Sequence, residues 1–125
     1  MTGPTTLVRE GRFTHGNAEP DLVLEPDAVA EEVAFAEADL IAVRFPSSAD
    51  GRGNSIARRL RLLGYRGRLR ATGHVLADQY PLALRCGFDE VEISDELAAR
   101  MPEEQWAEAM GRVALNYQDR VMGAG

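Results

Sequence analysis

Three short segments of strand length, each followed by a segment with helical periodicity, constrain the fold of this 125-residue chain more than any other feature. The first, Leu40–Val43, is an unbroken apolar run, which is typical of a strand buried on both faces of a parallel sheet. The second and third, Leu69–Thr72 and Glu90–Ile93, each have one polar face. Because strands that alternate with helices pair in parallel through right-handed crossovers, the pattern predicts an α/β domain.

The polar faces of the second and third strands indicate what kind of sheet this is. We expect a small parallel sheet built from successive βα units, with the helices packed on it. A half-barrel-like sheet, covered on one side or finished by a second subunit, fits the polar faces. A flavodoxin-like sheet with helices on both faces is the alternative.

The spacing of apolar residues predicts five helices. Asp27 and Ser94 are plausible N-caps for the first and the fourth of them. Pro81 lies inside the third, where it removes a backbone hydrogen bond and should kink or split the helix. The predicted helices cover residues 28–37, 55–63, 74–86, 95–100 and 102–117.

The two ends of the chain read differently from the middle. Residues 1–26 predict an irregular N-terminal arm, or a short hairpin in which Leu7-Val8 and Arg12-Phe13 flank Glu10-Gly11. Residues 27–120 predict a single α/β domain, and residues 121–125 a flexible tail.

Composition excludes several classes of function. All 14 basic residues are arginine, which rules out lysine chemistry, and the net charge of −6 argues against nucleic-acid binding. No stretch approaches the ~20 apolar residues that cross a bilayer, and no signal peptide is evident, so we expect a cytoplasmic protein without membrane contact. His15, His74 and Cys86 are too far apart for a metal site, and no cofactor motif occurs, so neither metal nor cofactor is expected.

Charge is distributed unevenly along the chain. The segment from Arg44 to Arg85 contains nine arginines and two acids, whereas the rest is strongly acidic. This pattern predicts internal ion pairs, a self-complementary homodimer, or an anionic ligand at the centre.

The loop after the first strand is the richest in functional groups. Gly51 and Gly53 allow unusual backbone conformations, and the loop opens a helix whose free N–H groups favour an anion. The sequence therefore predicts an anion site at Asp50, Gly51, Arg52, Gly53 and Ser55. The alternative is a tight turn in which Asp50 caps backbone amides and Arg52 forms a salt bridge.

His74 and Asp78 form a second candidate site. They are four residues apart, so they share a face if this segment is helical, and the carboxylate would tune the imidazole as a general base. The alternative is that His74 caps the helix while Asp78 pairs with an arginine.

Four segments together resemble a known family. They are Phe45–Ser55 (FPSSADGRGNS), Leu62–Arg70 (LLGYRGRLR), Val75–Gln79 (VLADQ) and Leu84–Asp89 (LRCGFD). Their order and combination are similar to family 934 of the bacterial domains of unknown function, over about residues 40–93.

The resemblance implies a role in sulfur assimilation. Members of that family are commonly encoded beside assimilatory sulfite reductase and are often labelled oxidoreductases. By position, it implies that Asp50, Gly51, Arg52, Gly53, Asp78 and Gln79 are functional residues.

Three hypotheses follow for the function. The first is an accessory factor that binds sulfite reductase, or a small anion such as sulfite, phosphate or a carboxylate. The second is a small enzyme with His74 as base, Asp78 as its orienting group and Arg52 as anion clamp. The third is a non-catalytic homodimeric interaction module.

Overall fold

A six-stranded sheet organises the protein, whose computed structural model describes residues 4–14 and 18–112. The strand order across the sheet is β2-β1-β6-β5-β4-β3. The prediction of an α/β fold is confirmed, and all three predicted strands are present with slightly longer bounds. The strands are β1 (Thr5–Arg9), β2 (Arg12–Thr14), β3 (Leu22–Leu24), β4 (Leu40–Phe45), β5 (Arg68–Gly73) and β6 (Glu90–Ser94).

The sheet is mixed, whereas the sequence predicted a parallel one. Strands β3, β4, β5 and β6 are parallel, but β1 is antiparallel to both β6 and β2. Strands β1 and β2 form a hairpin because Glu10 and Gly11, with φ of 54° and 77°, adopt the left-handed conformation that a two-residue turn requires. The N-terminal residues Thr5–Thr14 are thus part of the sheet.

All the described helices pack on one face of this sheet. They are α1 (Arg52–Leu62), α2 (Tyr80–Cys86), α3 (Asp95–Arg100) and the helical residues 103–112. Each contributes side chains to a single core, in which Trp106 packs edge-to-face on Tyr80 at 5.3 Å. No helix within residues 4–14 and 18–112 has the length and apolar character needed to cross a bilayer.

The prediction of a helix over residues 28–37 is wrong. Only Ala30–Glu32 forms a short 3-10 turn, preceded by Val29 in an extended conformation with no side-chain cap. Ala28, Ala30, Val33 and Phe35 pack against the core, and Phe35 contacts the Tyr65 ring edge-to-face at 5.5 Å, whereas Val29 is exposed. The spacing of apolar residues in this segment resembles that of a helix, although most of the segment is irregular.

Two other helices differ from the prediction at their beginnings. The helix expected from residue 74 begins at Tyr80, so Pro81 lies in its first turn, where its missing N–H is tolerated. Helix α1 begins at Arg52, three residues before the predicted start. Residues 113–117 of the last predicted helix and the tail 121–125 lie outside the described residues.

Candidate functional site

The loop between β4 and α1 is held by its own polar groups and by Gln79. The Asp50 N–H donates to the Ser47 carbonyl, and the Ala49 N–H to Ser47 Oγ, each at 3.1 Å. Gln79 Nε2 donates to the Ser48 carbonyl, while Gln79 Oε1 accepts the Leu76 N–H at 3.0 Å. Gln79 thus ties the loop to the segment that precedes α2.

Asp50 and Arg52 form a two-pronged ion pair at the end of this loop. Arg52 Nε and Nη2 donate to the two carboxylate oxygens at 2.9 Å and 2.7 Å, and the Arg52 N–H donates to Oδ1 at 3.1 Å. The Asp50 side chain is 14% exposed and that of Arg52 62%. The hydrogen bonds from Arg52 lower the pKa of Asp50 to about 2. Both groups therefore remain charged and paired.

This pair changes the chemistry expected of the loop. One edge of the Arg52 guanidinium and one backbone amide are already occupied by a carboxylate of the chain itself. Gly51 has a φ of −87°, outside the left-handed region, and Ser55 is exposed on α1. The geometry matches the turn with an internal salt bridge that the sequence left open as the alternative.

Gly53 is required for packing. It lies buried in the first turn of α1, and a Cβ atom there would stand 2.5 Å from Cζ of Phe45. The absence of a side chain lets α1 approach the aromatic ring at the end of β4. Close helix-to-strand contact thus explains this glycine without any ligand.

His74 and Asp78 do not share a helix face. His74 follows Gly73 at the end of β5, where its N–H donates to the Phe45 carbonyl at 2.8 Å. Asp78 lies in the 3-10 turn Ala77–Gln79, and both residues are exposed. The helix that would have aligned the two side chains begins only after them.

A small cavity of about 150 Å³ lies behind the loop. Its wall includes Asp50, Gln79 and the half-exposed Leu82. The Asn54 Oδ1 atom is buried and has no hydrogen-bond partner among the described residues. Leu82 and the Asp50–Arg52 pair together present an apolar and a charged group at this end of the sheet.

The sheet face opposite the helices carries a second group of polar residues, which the sequence analysis did not select. We call it the polar sheet face, and it includes alternate residues of β4, β5 and β6. The strand register places Arg70 beside Glu90, and Thr72 between Arg44 and Glu92. Arginines at alternate positions of β5 and glutamates at alternate positions of β6 were the signal in the sequence.

Two of the segments that resemble the known family are joined by one arginine. Arg61 donates to the carbonyls of Tyr65, Gly67 and Gly87 at 2.7–3.1 Å and to Asp89 Oδ2 at 2.9 Å. These contacts connect the end of α1 to the beginnings of β5 and β6. The motifs in Leu62–Arg70 and Leu84–Asp89 therefore have a structural role, because they hold α1, β5 and β6 together.

Two observations bear on metal binding and on thiol chemistry. Within residues 4–14 and 18–112, no group of three or more His, Cys, Asp or Glu side chains could hold a metal ion. Burial raises the pKa of the Cys86 thiol, which disfavours the reactive thiolate.

The comparisons with known proteins give one match. A family model described as a bacterial protein of unknown function (DUF934) matches residues 21–124, a longer span than the segments that carried the resemblance. Neither the curated proteins nor the solved structures gave a match.

Proposed function

Because the chain belongs to the bacterial family of unknown function DUF934, we propose that it is an accessory binding protein of assimilatory sulfite reduction. This is the role that the resemblance implies, and it keeps the protein in the cytoplasm. Its task is to bind the sulfite reductase, and the loop between β4 and α1 is the binding surface.

The Asp50–Arg52 pair, in which the arginine is exposed, is the observation that carries this proposal. Its geometry is fixed by three hydrogen bonds, and Gln79 anchors the loop from behind. A preorganised arginine loses little side-chain entropy when a partner binds, and arginine is enriched at the energetic centres of protein interfaces. Leu82, 50% exposed beside the pair, adds apolar contact area.

Binding is favoured over catalysis for a geometric reason. A base needs a group that orients it, and His74 and Asp78 come from different, exposed turns. An anion clamp needs an available fork, and Asp50 already occupies the Nε and Nη2 edge of Arg52. A surface that recognises another protein requires neither.

Association with the reductase tests the proposal. The full chain is immobilised, and the assimilatory sulfite reductase of the same bacterium is passed over it. We expect saturable binding that Arg52→Ala weakens about tenfold, as loss of an interface anchor does. Arg100→Ala is the matched control, because Arg100 is similarly exposed and pairs with Glu96 at 3.1 Å within α3.

Two results would overturn the proposal. One is no association between the wild-type chain and the reductase, together with normal growth of a deletion strain on sulfite as sole sulfur source. The other is an equal loss of binding for Arg52→Ala and Arg100→Ala, because a non-specific charge effect would then explain the association.

A further inference from the structure

We propose that the polar sheet face binds a small organic acid, whose anionic head is neutralised by Arg70 and Arg44. The site lies on the opposite side of the sheet from the helices and goes beyond the proposed function. Its first support is a cavity of about 950 Å³ over this face. The residues that line it include Ala42, Arg44, Arg70, Thr72, His74 and Glu92.

Arg70 is the second support. Its side chain is 2% exposed, and Nε donates to Glu90 Oε2 at 2.7 Å. The Nη2 atom is buried and has no hydrogen-bond partner in the part of the chain that the structure describes. Buried charged donors in folded proteins nearly always have a partner, so this unpaired donor, on a residue that lines the cavity, supports a ligand there.

Three arginines share the buried carboxylate of Glu90. Three guanidinium groups approach this buried carboxylate, from Arg9 at 3.0 Å, Arg68 at 3.9 Å and Arg70 at 2.7 Å. Glu92 is the second acid, at 3.8 Å from Arg70 Nη1. Because Arg70 shares Glu90 with two other arginines and its Nη1 lies beyond hydrogen-bond distance of Glu92, its guanidinium keeps donor capacity for an anionic head.

Arg44 and Thr72 extend the site toward the carboxyl ends of the strands. Thr72 donates to Glu92 Oε1 at 3.2 Å, which fixes that carboxylate against the sheet. Arg44 lies directly opposite Thr72 in the register and is half-exposed, with Glu25 at 3.4 Å. His74 follows β5 at the same end of the cavity. Ligands of α/β sheets usually bind near this edge.

The size of the cavity selects the class of ligand. About 950 Å³ is in the range of organic ligands and exceeds what an inorganic anion fills. Val23, Ala42 and Pro46 give apolar surface for a carbon skeleton, whereas the acids Glu19 and Glu92 disfavour a second negative charge. A single oxyanion head on a small organic body fits this lining.

Matched four-carbon ligands test the inference. Butyrate, butanesulfonate and butyl phosphate each contain four carbons and differ in the head, while butanol and butylamine are the neutral and cationic controls. Each is titrated to millimolar concentration into the ¹⁵N-labelled full chain, with sulfite and inorganic phosphate alongside. We expect one or more of the three organic acids to shift the amide signals of Arg44, Thr72 and His74, and butanol and butylamine to leave them unchanged.

Substitutions test whether Arg70 and Arg44 bind the anionic head of the ligand. Arg70→Gln should abolish the shifts, and Arg44→Gln, on a half-exposed residue whose change spares the core, should weaken binding about tenfold. Arg58→Gln, on the exposed side of α1, should leave the affinity within twofold of the wild type. If Arg70→Gln fails to fold, Arg44→Gln carries the assignment to the arginine pair.

Four outcomes would overturn the inference. Three of them are no shift on the polar sheet face with any organic acid, equal shifts with butanol, and equal losses for Arg44→Gln and Arg58→Gln. Shifts caused by sulfite or phosphate, but by none of the organic acids, would also refute it, because the ligand would then be an inorganic ion. Binding of the reductase is measured separately, so either proposal can fail alone.

Discussion

Replacing Gly53 by alanine asks whether this glycine is present for packing. The added Cβ would stand 2.5, 2.7 and 3.0 Å from three carbons of the Phe45 ring, closer than real side chains approach. The ring cannot easily move away, because Phe45 is 6% exposed and packs edge-to-face on Phe88 at 5.7 Å. The strain must therefore be relieved by a shift of α1 or of β4.

Two opposing effects set the size of the change. Forcing an extra carbon into a filled core costs about 1–3 kcal/mol. Alanine regains at most about 1 kcal/mol, because it is a better helix former than glycine. We therefore expect Gly53→Ala to lower the free energy of unfolding by about 1–2 kcal/mol, or the melting temperature by roughly 4–8 °C in a domain of this size.

Urea unfolding followed by circular dichroism measures this loss. Gly51→Ala is the matched control, because no atom lies within 4 Å of its added Cβ, and its unfolding free energy should change by less than about 0.5 kcal/mol. In a Phe45→Leu background the cost of Gly53→Ala should disappear, since the obstructing ring is gone. A Gly53→Ala protein as stable as the wild type would refute the packing argument.

Three further predictions concern contacts elsewhere in the structure. Arg61→Ala removes hydrogen bonds to three carbonyls and should lower the unfolding free energy, measured in urea, by about 3 kcal/mol. Arg61→Lys should recover less than half of this loss. A loss under ~0.5 kcal/mol for Arg61→Ala would contradict the prediction. Arg52 lowers the pKa of Asp50 to about 2. The stabilisation by this pair is therefore complete above the ordinary carboxyl pKa and is lost as the pH falls through about 2. A ¹³C NMR titration of the Asp50 carboxyl should have its midpoint at that pH, and a midpoint near 4 would refute the prediction. Tyr80→Phe leaves the buried Gly11 N–H, now 3.1 Å from the Tyr80 hydroxyl, without a partner; it should cost about 1–2 kcal/mol and speed exchange of that amide, and unchanged exchange would count against the hydrogen bond.

Strands β4, β5 and β6 were the part of the fold that the sequence specified best. The apolar run at Leu40–Val43 indicated a strand buried on both faces. Gly64 and Gly87, which follow α1 and α2, have left-handed φ values of 101° and 114°, which are typical of glycines that end helices. Such signals are local, because they depend on side chains and dihedral angles within one element. The family prediction, also carried by local motifs, is confirmed.

Long-range contacts explain what the sequence analysis missed. The role of Gly53 depends on a phenylalanine in another element, and the segment 28–37 depends on a core formed by the rest of the chain. The place of β1 depends on β6, more than 80 residues away. Residue spacing contains no information about these partners.

The candidate site shows the same division. A salt bridge of Arg52 was foreseen as an alternative without its partner, and the structure shows that the partner is Asp50, two residues away. The polar sheet face was noticed as polar strands, but the pairing of Arg70 with Glu90 requires the parallel register. A buried ion pair between two strands becomes visible only when the strands are placed side by side.

The position of β1 also determines when the protein can fold. Strand β1 is synthesised before its partner β6, because the paired residues Thr5 and Ser94 are far apart in the sequence. During most of synthesis the hairpin of β1 and β2 therefore has an unpaired edge on β1. Unpaired strand edges bind chaperones or other chains. We therefore expect the sheet to close after translation of the carboxyl-terminal half, and a nascent chain truncated before Glu90 to remain sensitive to protease throughout its first strands.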